Sequence, residues 1–487
     1  MKKKLLFSYS KICTLALLGA SALFLTSCAE DGYDDDERFV QDTWNTKMVT
    51  PDASTIKVTP NAVGDKQTIE WPLVKGAAGF ELKLEDVTDA DAPKVVYEGV
   101  VDGCMQLLER EEDTDYRLTL HALGNKEYGN TDADNSSTKE YTTKIKAVAE
   151  IPEGDLAAFF TDDFVYPEGS DKEEVCYDLI PGGNYTLSKP VTFGAHKILL
   201  RSTSKTTNVK LTLASDANFV VQDGFRMRGF DIDMTATTKA LIVGDKNPTI
   251  GQTPKGGFYF VEKPVVMQRC NIEGVRGYLF FDNSVKYCFK DLVINNCKIH
   301  LTSSKDNGLN DFAIIQCKSG YVNDINLVKS TIWQTGETDA KYFIQYNNSG
   351  RSTNAGLTSN SITHTNCTFY HVANGGQWFN CNGFNGQKCS TYFITNNIFV
   401  DCSNQVARRI LGSVKASSGR IGATLFNNNT YWRNEADVST SESEYDNGYI
   451  LKSDPAFADV ANADFTPTGA EQVEKQTGDP RWFETEE

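Results

Sequence analysis

The chain has few of the features that a cysteine-bound metal site, a nucleic-acid-binding surface or a membrane span requires. Its 12 cysteines include no CxxC pair and no other metal-ligand spacing, which argues against a metal site built on cysteine. Its formal net charge of −17 argues against nucleic acid or anionic lipid as a partner. Its N-terminal apolar run, Leu15 to Leu25, is too short to span a bilayer.

The first residues have the order of an export signal: a basic start (MKKK), the apolar run, and a cysteine after small residues. "LTSC" resembles the lipobox of bacterial lipoproteins, which implies a signal peptide over 1–27 and lipidation of Cys28. The acidic "AEDGYDDDER" resembles the surface-export signal of Bacteroidota lipoproteins. A solvated, flexible tether over 28–50 is compatible with that resemblance. We therefore expect a lipid-anchored protein on the outer membrane, facing the cell exterior.

Residues 51–147 alternate apolar and polar positions in short runs bounded by turn residues, such as KQTIEWPL, GFELKLED and DYRLTLHAL. This pattern is typical of an all-β sandwich. Trp71 in the second strand, together with Tyr116, Leu118 and Leu120 before Gly124, resembles a fibronectin type III domain. Such a module is most often a spacer, so we assign Trp71 to the core rather than to a ligand site.

Further along the chain, a small polar residue recurs two positions before a large apolar one. The polar column contains Cys270, Cys297, Ser330, Cys367, Asn397 and Asn429, and the apolar column contains Ile272, Ile299, Ile332, Phe369, Phe399 and Tyr431. Irregular intervals of 27 to 37 residues favour a right-handed parallel β-helix over 160–475 rather than a propeller. Residues two apart on a strand share a face, so both columns point inward, with buried thiols rather than disulfides.

Signal, sandwich and repeats together resemble the lipoproteins of Bacteroidota polysaccharide-utilisation systems that join a fibronectin-like module to a pectate-lyase-like β-helix. The closing segment "DPAFADVANADFTPTGAEQVEKQTGDPRW" is similar to the terminal segment of such β-helix proteins. The resemblance implies an acidic plant cell-wall glycan, pectin especially, as ligand or substrate. It also implies glycan-import machinery as a partner.

The residues give little support to the usual enzymes of pectin breakdown. A lyase needs a base and a means of neutralising the uronate, often Ca²⁺ held by clustered carboxylates. Between 292 and 400 the carboxylates are scattered, with no DxD and no paired acids: Asp306, Asp311, Asp324, Glu337 and Asp339. We therefore expect no cofactor, and Ca²⁺ is the alternative. The "GHG" and "RIK" sequences that a polygalacturonase would carry are absent, which argues against hydrolysis by paired aspartates.

A basic region on an acidic chain indicates an anionic ligand. Residues 261–435 contain 17 basic and 11 acidic side chains, whereas the chain without its signal carries −21. Candidate contacts are the arginines for carboxylates and the indoles for sugar faces: Arg269, Arg351, Arg408, Arg409, Trp333, Trp378 and Trp432. If the protein is a lyase, Lys298 or Lys329 is the candidate base. For each residue the ordinary alternative is a solvated or structural side chain.

Three functions follow from these observations. The preferred one is a non-catalytic surface lipoprotein that binds pectin-type polysaccharide for capture and uptake. The second is a metal-independent polysaccharide lyase with a Lys or Arg base. The third is a structural or adhesive surface protein, which is favoured if the basic residues are scattered around the coil. Convergence of these groups in space separates the three.

Overall fold

The structure is a computed structural model that describes residues 43–347, 355–381, 389–403, 406–407, 409–410, 421–433 and 450–483. The chain divides into two compact units, with the boundary between Lys144 and Ile145. Among the described residues, no helix combines the length and the apolar character needed to cross a membrane. The predicted signal peptide, Cys28 and most of the acidic tether lie outside the described residues and stay predictions.

The first unit is a sandwich of two antiparallel sheets. Its strands are β1 (Lys57–Pro60), β2 (Lys66–Glu70), β3 (Ala77–Asp86), β4 (Lys94–Val101), β5 (Met105–Glu109), β6 (Asp115–Gly124) and β7 (Ser137–Thr142), with short 3₁₀ turns at Ala53–Thr55 and Lys126–Tyr128. The sheets have the orders β1-β2-β5 and β4-β3-β6-β7. Trp71 is 5% exposed and meets Phe80 edge to face at 5.3 Å between ring centroids. The fibronectin type III-like sandwich is confirmed, and Trp71 belongs to its core.

The second unit is built on three parallel sheets. Sheet I comprises β8 (Ala147–Ile151), β10 (Val175–Leu179), β13 (Ile198–Ser202), β16 (Phe225–Arg228), β19 (Tyr259–Val261), β20 (Val265–Gln268), β23 (Tyr287–Asn295), β26 (Tyr321–Val328), β29 (Ser359–Thr365), β32 (Cys389–Thr395) and β34 (Ile421–Asn427). Sheet II comprises β9 (Gly154–Asp155), β11 (Asn184–Leu187), β14 (Val209–Leu213), β17 (Phe230–Asp233), β21 (Asn271–Val275), β24 (Lys298–Leu301), β27 (Thr331–Gln334), β30 (Thr368–Tyr370), β33 (Ile398–Val400) and β35 (Thr430–Trp432). Sheet III comprises β12 (Val191–Thr192), β15 (Phe219–Val221), β18 (Ile242–Gly244), β22 (Phe280–Phe281), β25 (Phe312–Cys317), β28 (Ala340–Tyr346) and β31 (Gln377–Cys381).

From β10 to β31, successive coils place a strand on each sheet in turn, with β19 as an additional strand on sheet I, and strands of neighbouring coils pair in parallel. For example, β24 pairs with β21 on one side and β27 on the other. This arrangement is a parallel β-helix, as predicted. Its first strand lies before the predicted start at residue 160, because β8 pairs in parallel with β10. The residues between the two predicted domains therefore belong to the first coil, and they include the short helix α1 (Leu156–Phe159).

The polar and apolar columns point inward as predicted. The six polar residues are completely buried, and the apolar residues pair with one another in register from Ile272 to Tyr431. Asn397 accepts a hydrogen bond from the backbone N–H of Cys367 at 3.0 Å and donates to Oδ1 of Asn429 at 2.9 Å. The amides thus satisfy one another in a ladder. The cysteines whose state the structure gives are free thiols: Cys104, Cys176, Cys270, Cys288, Cys297, Cys317, Cys367, Cys381 and Cys402.

The residue before each column member turns the chain from sheet I to sheet II. These corner residues have positive φ angles between 48° and 58°: Arg269, Asn296, Lys329, Asn366, Asn396 and Asn428. Asn tolerates this left-handed conformation better than most residues, which explains its recurrence. Arg269 and Lys329 fill the same structural position without that advantage.

The C-terminal segment lies on the outer face of sheet II. It contains β36 (Phe457–Asp459), β37 (Asp464–Pro467), α2 (Ala470–Lys475) and 3₁₀ turns at Val460–Asn462 and Pro480–Trp482. Phe465 is fully buried and lies 5.6 Å from the ring centroids of Trp333 and Tyr370. The backbone N–H of Asp479 donates to Thr368 Oγ1 at 3.0 Å. The segment therefore adds a second layer over the later coils of sheet II.

Candidate functional site

The outer face of sheet II presents a half-buried lysine between two indole rings. In β24, Ile299 and Leu301 point inward, so Lys298 and His300 point outward. The Lys298 ammonium lies 5.9 Å from the ring centroid of Trp333 and 5.2 Å from that of Trp482. Both distances are within the range of cation–π attraction. We call Lys298, His300, Trp333, Arg481 and Trp482 the Lys298 patch.

The C-terminal 3₁₀ turn supplies two members of the patch and is fixed by the carboxylate of Asp479. Asp479 Oδ2 accepts from Thr331 Oγ1 at 2.8 Å and from Arg481 Nε at 2.7 Å. Trp482 Nε1 in turn donates to Thr331 Oγ1 at 2.8 Å, and Arg481 Nη2 donates to Asn296 Oδ1 at 2.8 Å. These bonds hold the Trp482 ring and the Arg481 guanidinium beside Lys298. Both side chains remain half-buried and reach solvent.

Burial lowers the pKa of Lys298, and the neighbouring Arg481 guanidinium lowers it further, whereas Glu273, Asp479 and Asp464 act in the opposite direction. Burial also raises the pKa of Asp479, with Arg481 opposing the shift. The Lys298 amine is therefore easier to deprotonate than an ordinary lysine.

His300 connects the patch to two polar groups on neighbouring coils. Its ring stacks on Trp333 with a centroid distance of 4.8 Å and an interplanar angle of 8°. Its Nδ1 lies 2.7 Å from Glu273 Oε2, and its Nε2 lies 2.7 Å from Thr335 Oγ1. Stacking and two hydrogen bonds together fix the orientation of the imidazole. This chain of groups follows the axis of the β-helix across three coils.

Of the predicted site residues, the structure brings together the side chains of Lys298 and Trp333 and places the backbone of Lys329 beside Arg481. The backbone carbonyl of Lys329 accepts from Arg481 Nη2 at 3.3 Å, and the Lys329 side chain is exposed. Arg269 lies apart from them, because its guanidinium turns back to donate to the Ser204 carbonyl at 2.6 Å. Arg269 therefore has a structural contact at the corner between sheets I and II.

The predicted role of two tryptophans as sugar platforms is wrong. Trp378 is completely buried inside the coil, where its Nε1 donates to His364 Nε2 at 3.3 Å. Trp333 is 3% exposed because His300 and Phe465 cover it, so it supports the patch from below. The alternation of side chains along a strand could not show that other residues cover these two indole rings.

The remaining predicted contacts lie elsewhere or outside the described residues. Trp432 is half-buried at the end of β35, and Arg409 is half-buried in a short helical stretch. Arg351 and Arg408 fall outside the described residues, so their predicted contacts stay predictions. Sequence reasoning missed Arg481 and Trp482, although the closing "DPRW" was the part of the chain with a recognisable resemblance.

Two carboxylates that are distant in sequence lie side by side on sheet I. Asp291 and Asp324 are register partners on β23 and β26, a proximity in space that the sequence spacing of the acids does not reveal. Burial raises the pKa of Asp291 to about 6, with the charge of Asp324 adding to the shift. Among the described residues, no group of three or more His, Cys, Asp or Glu side chains is arranged to hold a metal ion.

Comparisons with known proteins give families without an assigned function. Residues 1–182 match DUF4992, residues 183–335 match DUF4957 and residues 362–482 match DUF5123, each described as a domain of unknown function. No curated protein matches the chain.

Two solved structures are similar to parts of the chain. "Structure of FN3tt mut" is 21% identical, covering 20% of this chain and 96% of that one, with a TM-score of 0.15. Pectate lyase PelI from Erwinia chrysanthemi, in complex with tetragalacturonic acid, is 8% identical, covering 67% of this chain and 87% of that one, with a TM-score of 0.14. The architecture rests on the strand pairing described above, and these similarities add neither a substrate nor a site.

Proposed function

We propose that this chain is a surface-anchored lipoprotein that binds an acidic polysaccharide of the pectin type through the Lys298 patch without cleaving the glycan backbone. In this proposal Cys28 carries the lipid anchor in the outer membrane, and the fibronectin type III-like unit is a spacer between anchor and β-helix. Captured glycan would then pass to import machinery.

The proposal depends on one observation: the Lys298 ammonium lies 5.2 Å from the centroid of a half-buried Trp482 ring, with the Arg481 guanidinium beside it. An indole face with an accessible edge packs against the apolar face of a sugar ring. A guanidinium and an ammonium next to it suit the carboxylate of a uronic acid. The convergence of Lys298 and Arg481 beside Trp482 supports binding over a purely structural role.

Replacing Trp482 with alanine is expected to weaken binding to homogalacturonan by about tenfold, or ~1.4 kcal/mol, because the stacking face is lost. Trp482→Phe keeps an aromatic face but loses the bond to Thr331, so it is expected to retain most of the affinity. Affinity gel electrophoresis on homogalacturonan and rhamnogalacturonan measures both. Equal mobility shifts of the wild-type chain and Trp482→Ala would show that the Lys298 patch does not bind the glycan.

Lys298→Ala should also weaken binding, and it should reduce the salt dependence because one cation is removed. Lys210→Ala is a matched control. Lys210 occupies the same outward row of sheet II, through the register Lys210, Asp231, Asn271 and Lys298, but it is exposed and lies three coils away. Equal losses for the two lysine variants would mean that only overall charge matters.

A second candidate is a polysaccharide lyase in which Lys298 is the base, favoured by its lowered pKa. The binding proposal predicts no formation of unsaturated uronides when the chain is incubated with either glycan, with or without Ca²⁺, while absorbance is followed. Rising absorbance that disappears in Lys298→Gln would replace the binding proposal with the lyase.

A further inference from the structure

Beside the Lys298 patch, Glu273, His300 and Thr335 form a continuous chain of carboxylate, imidazole and hydroxyl. Both links are 2.7 Å long. A carboxylate accepts only, so Nδ1 of the neutral imidazole donates to Glu273, and Nε2 is left as an acceptor for the Thr335 hydroxyl. These hydrogen-bond directions are the ones required when a hydroxyl is the nucleophile, an imidazole is its base and a carboxylate orients the imidazole.

The position of each group fits that use. Thr335 is exposed on the turn after β27, where a substrate can reach its hydroxyl. The His300 side chain is 20% exposed and is held flat against Trp333, whereas Glu273 is 54% exposed at the far end. The nucleophile end is therefore open, and the base between the two ends is fixed in one orientation.

The residue after Thr335 supplies a donor for a developing negative charge. Gly336 has a φ of 73°, and its backbone N–H makes no hydrogen bond to any residue that the structure describes. Gly336 also lies against the backbone of Ser303 on the preceding coil, which fixes the position of this turn. A backbone N–H next to the nucleophile can stabilise an oxyanion.

We infer that Glu273, His300 and Thr335 form an acyl-transfer site that hydrolyses esters. Thr335 Oγ1 attacks the acyl carbonyl, and its proton moves to His300 Nε2 as the new C–O bond forms. His300 then gives that proton to the alcohol oxygen as the original ester bond breaks, and the alcohol leaves. Water, activated by His300, cleaves the acyl-threonine, releases the acid and restores the hydroxyl. No electrons are exchanged, and water is the only co-reactant.

The substrate class is an acyl ester of an alcohol, including an ester on a sugar hydroxyl. The activity goes beyond glycan binding and is independent of it, since a small ester needs no contact with Trp482. A failure of the binding proposal and a failure of this one are therefore seen in different experiments.

The test uses the full chain with p-nitrophenyl acetate. A burst of nitrophenolate equal to the protein concentration is expected, followed by slower turnover, with acetylated Thr335 found by mass spectrometry after acid quenching. Thr335→Ala is expected to lose the burst and to lower turnover by about 100-fold, whereas Thr335→Ser keeps both. Glu273→Gln is expected to keep a burst that is slower and has an altered pH profile, because the carboxylate orients the imidazole.

Two results would overturn the inference. Turnover of Thr335→Ala equal to that of the wild-type chain would mean that His300 acts as an ordinary surface imidazole. A wild-type rate no higher than that of His300→Ala would mean that the hydrogen bonds joining Glu273, His300 and Thr335 have only a structural role. Because Thr335 is exposed, Thr335→Ala is expected to fold normally, and its circular dichroism spectrum checks this.

Discussion

Asn397→Ala is expected to destabilise the β-helix by about 3 kcal/mol, the largest effect we expect from one substitution in the ladder. The side chain accepts from the Cys367 N–H at 3.0 Å and donates to the His364 carbonyl at 2.6 Å and to Asn429 Oδ1 at 2.9 Å. All of these groups are buried, so water cannot replace the lost partners. The variant leaves a buried backbone donor unsatisfied and a cavity beside it.

Asn397→Ser separates hydrogen bonding from volume. In an earlier coil Ser330 occupies the same column, where its Oγ accepts from the Cys297 N–H at 3.0 Å and donates to the Val328 carbonyl at 2.8 Å. Serine at 397 can make the equivalent two bonds, so we expect about half the loss seen with alanine. Asn326→Ala is the surface control, because Asn326 is half-buried on the outer face of sheet I.

The measurement is the urea midpoint of the β-helix transition, together with hydrogen exchange at the backbone amide of Cys367. Exchange there should accelerate in Asn397→Ala and much less in Asn397→Ser. Midpoints that coincide for Asn397→Ala and Asn326→Ala would show that the ladder contributes little to stability.

The ladder could be predicted because the same pair of a small polar and a large apolar residue recurs along the sequence. A residue pair two positions apart, recurring in six coils, specifies both the inward face and the stacking. The corner residues before the column were not predicted. Asn at 296, 366, 396 and 428 marks a left-handed turn, but Arg269 and Lys329 at the same position looked like candidates for ligand contact.

The candidate site depends on contacts that no local pattern encodes. Whether Trp333 is open or covered is decided by Phe465, more than a hundred residues away in sequence. The hydrogen bonds that join Glu273, His300 and Thr335 likewise connect residues of three coils. The alignment of these coils depends on the lengths of the intervening turns. Sequence reasoning located the β-helix and two of the patch residues, Lys298 and Trp333, although it assigned Trp333 the wrong role. It could not locate the C-terminal layer that completes the patch.

Asp291→Asn is expected to stabilise the β-helix at neutral pH. Asp291 is 8% exposed and lies next to Asp324, which already accepts from Ser361 Oγ at 2.6 Å and from Asn323 Nδ2 at 2.7 Å. Burial and the second carboxylate raise the pKa of Asp291 from 3.8 to about 6, against a weaker opposing effect of Lys290. Ionising Asp291 in the folded chain is therefore unfavourable, and asparagine, which could donate to Asp324, removes that cost.

The sign of the pH dependence follows from the raised pKa. Below the unfolded value of 3.8, the carboxyl is protonated in both states and costs nothing. As pH rises through the folded value of about 6, stability is lost, and the loss is complete near neutrality. The full shift corresponds to about 2–3 kcal/mol, so Asp291→Asn should gain roughly that amount at pH 7.5 and clearly less at pH 4.5.

Thermal and urea unfolding at the two pH values measure this difference. Asp306→Asn is the matched control, since Asp306 is exposed and its φ of 63° is one that asparagine tolerates. The control should change stability little at either pH. A loss of stability in Asp291→Asn at pH 7.5 would mean that Lys290 compensates the buried charge in the folded chain, and that the paired carboxylates stabilise sheet I rather than strain it.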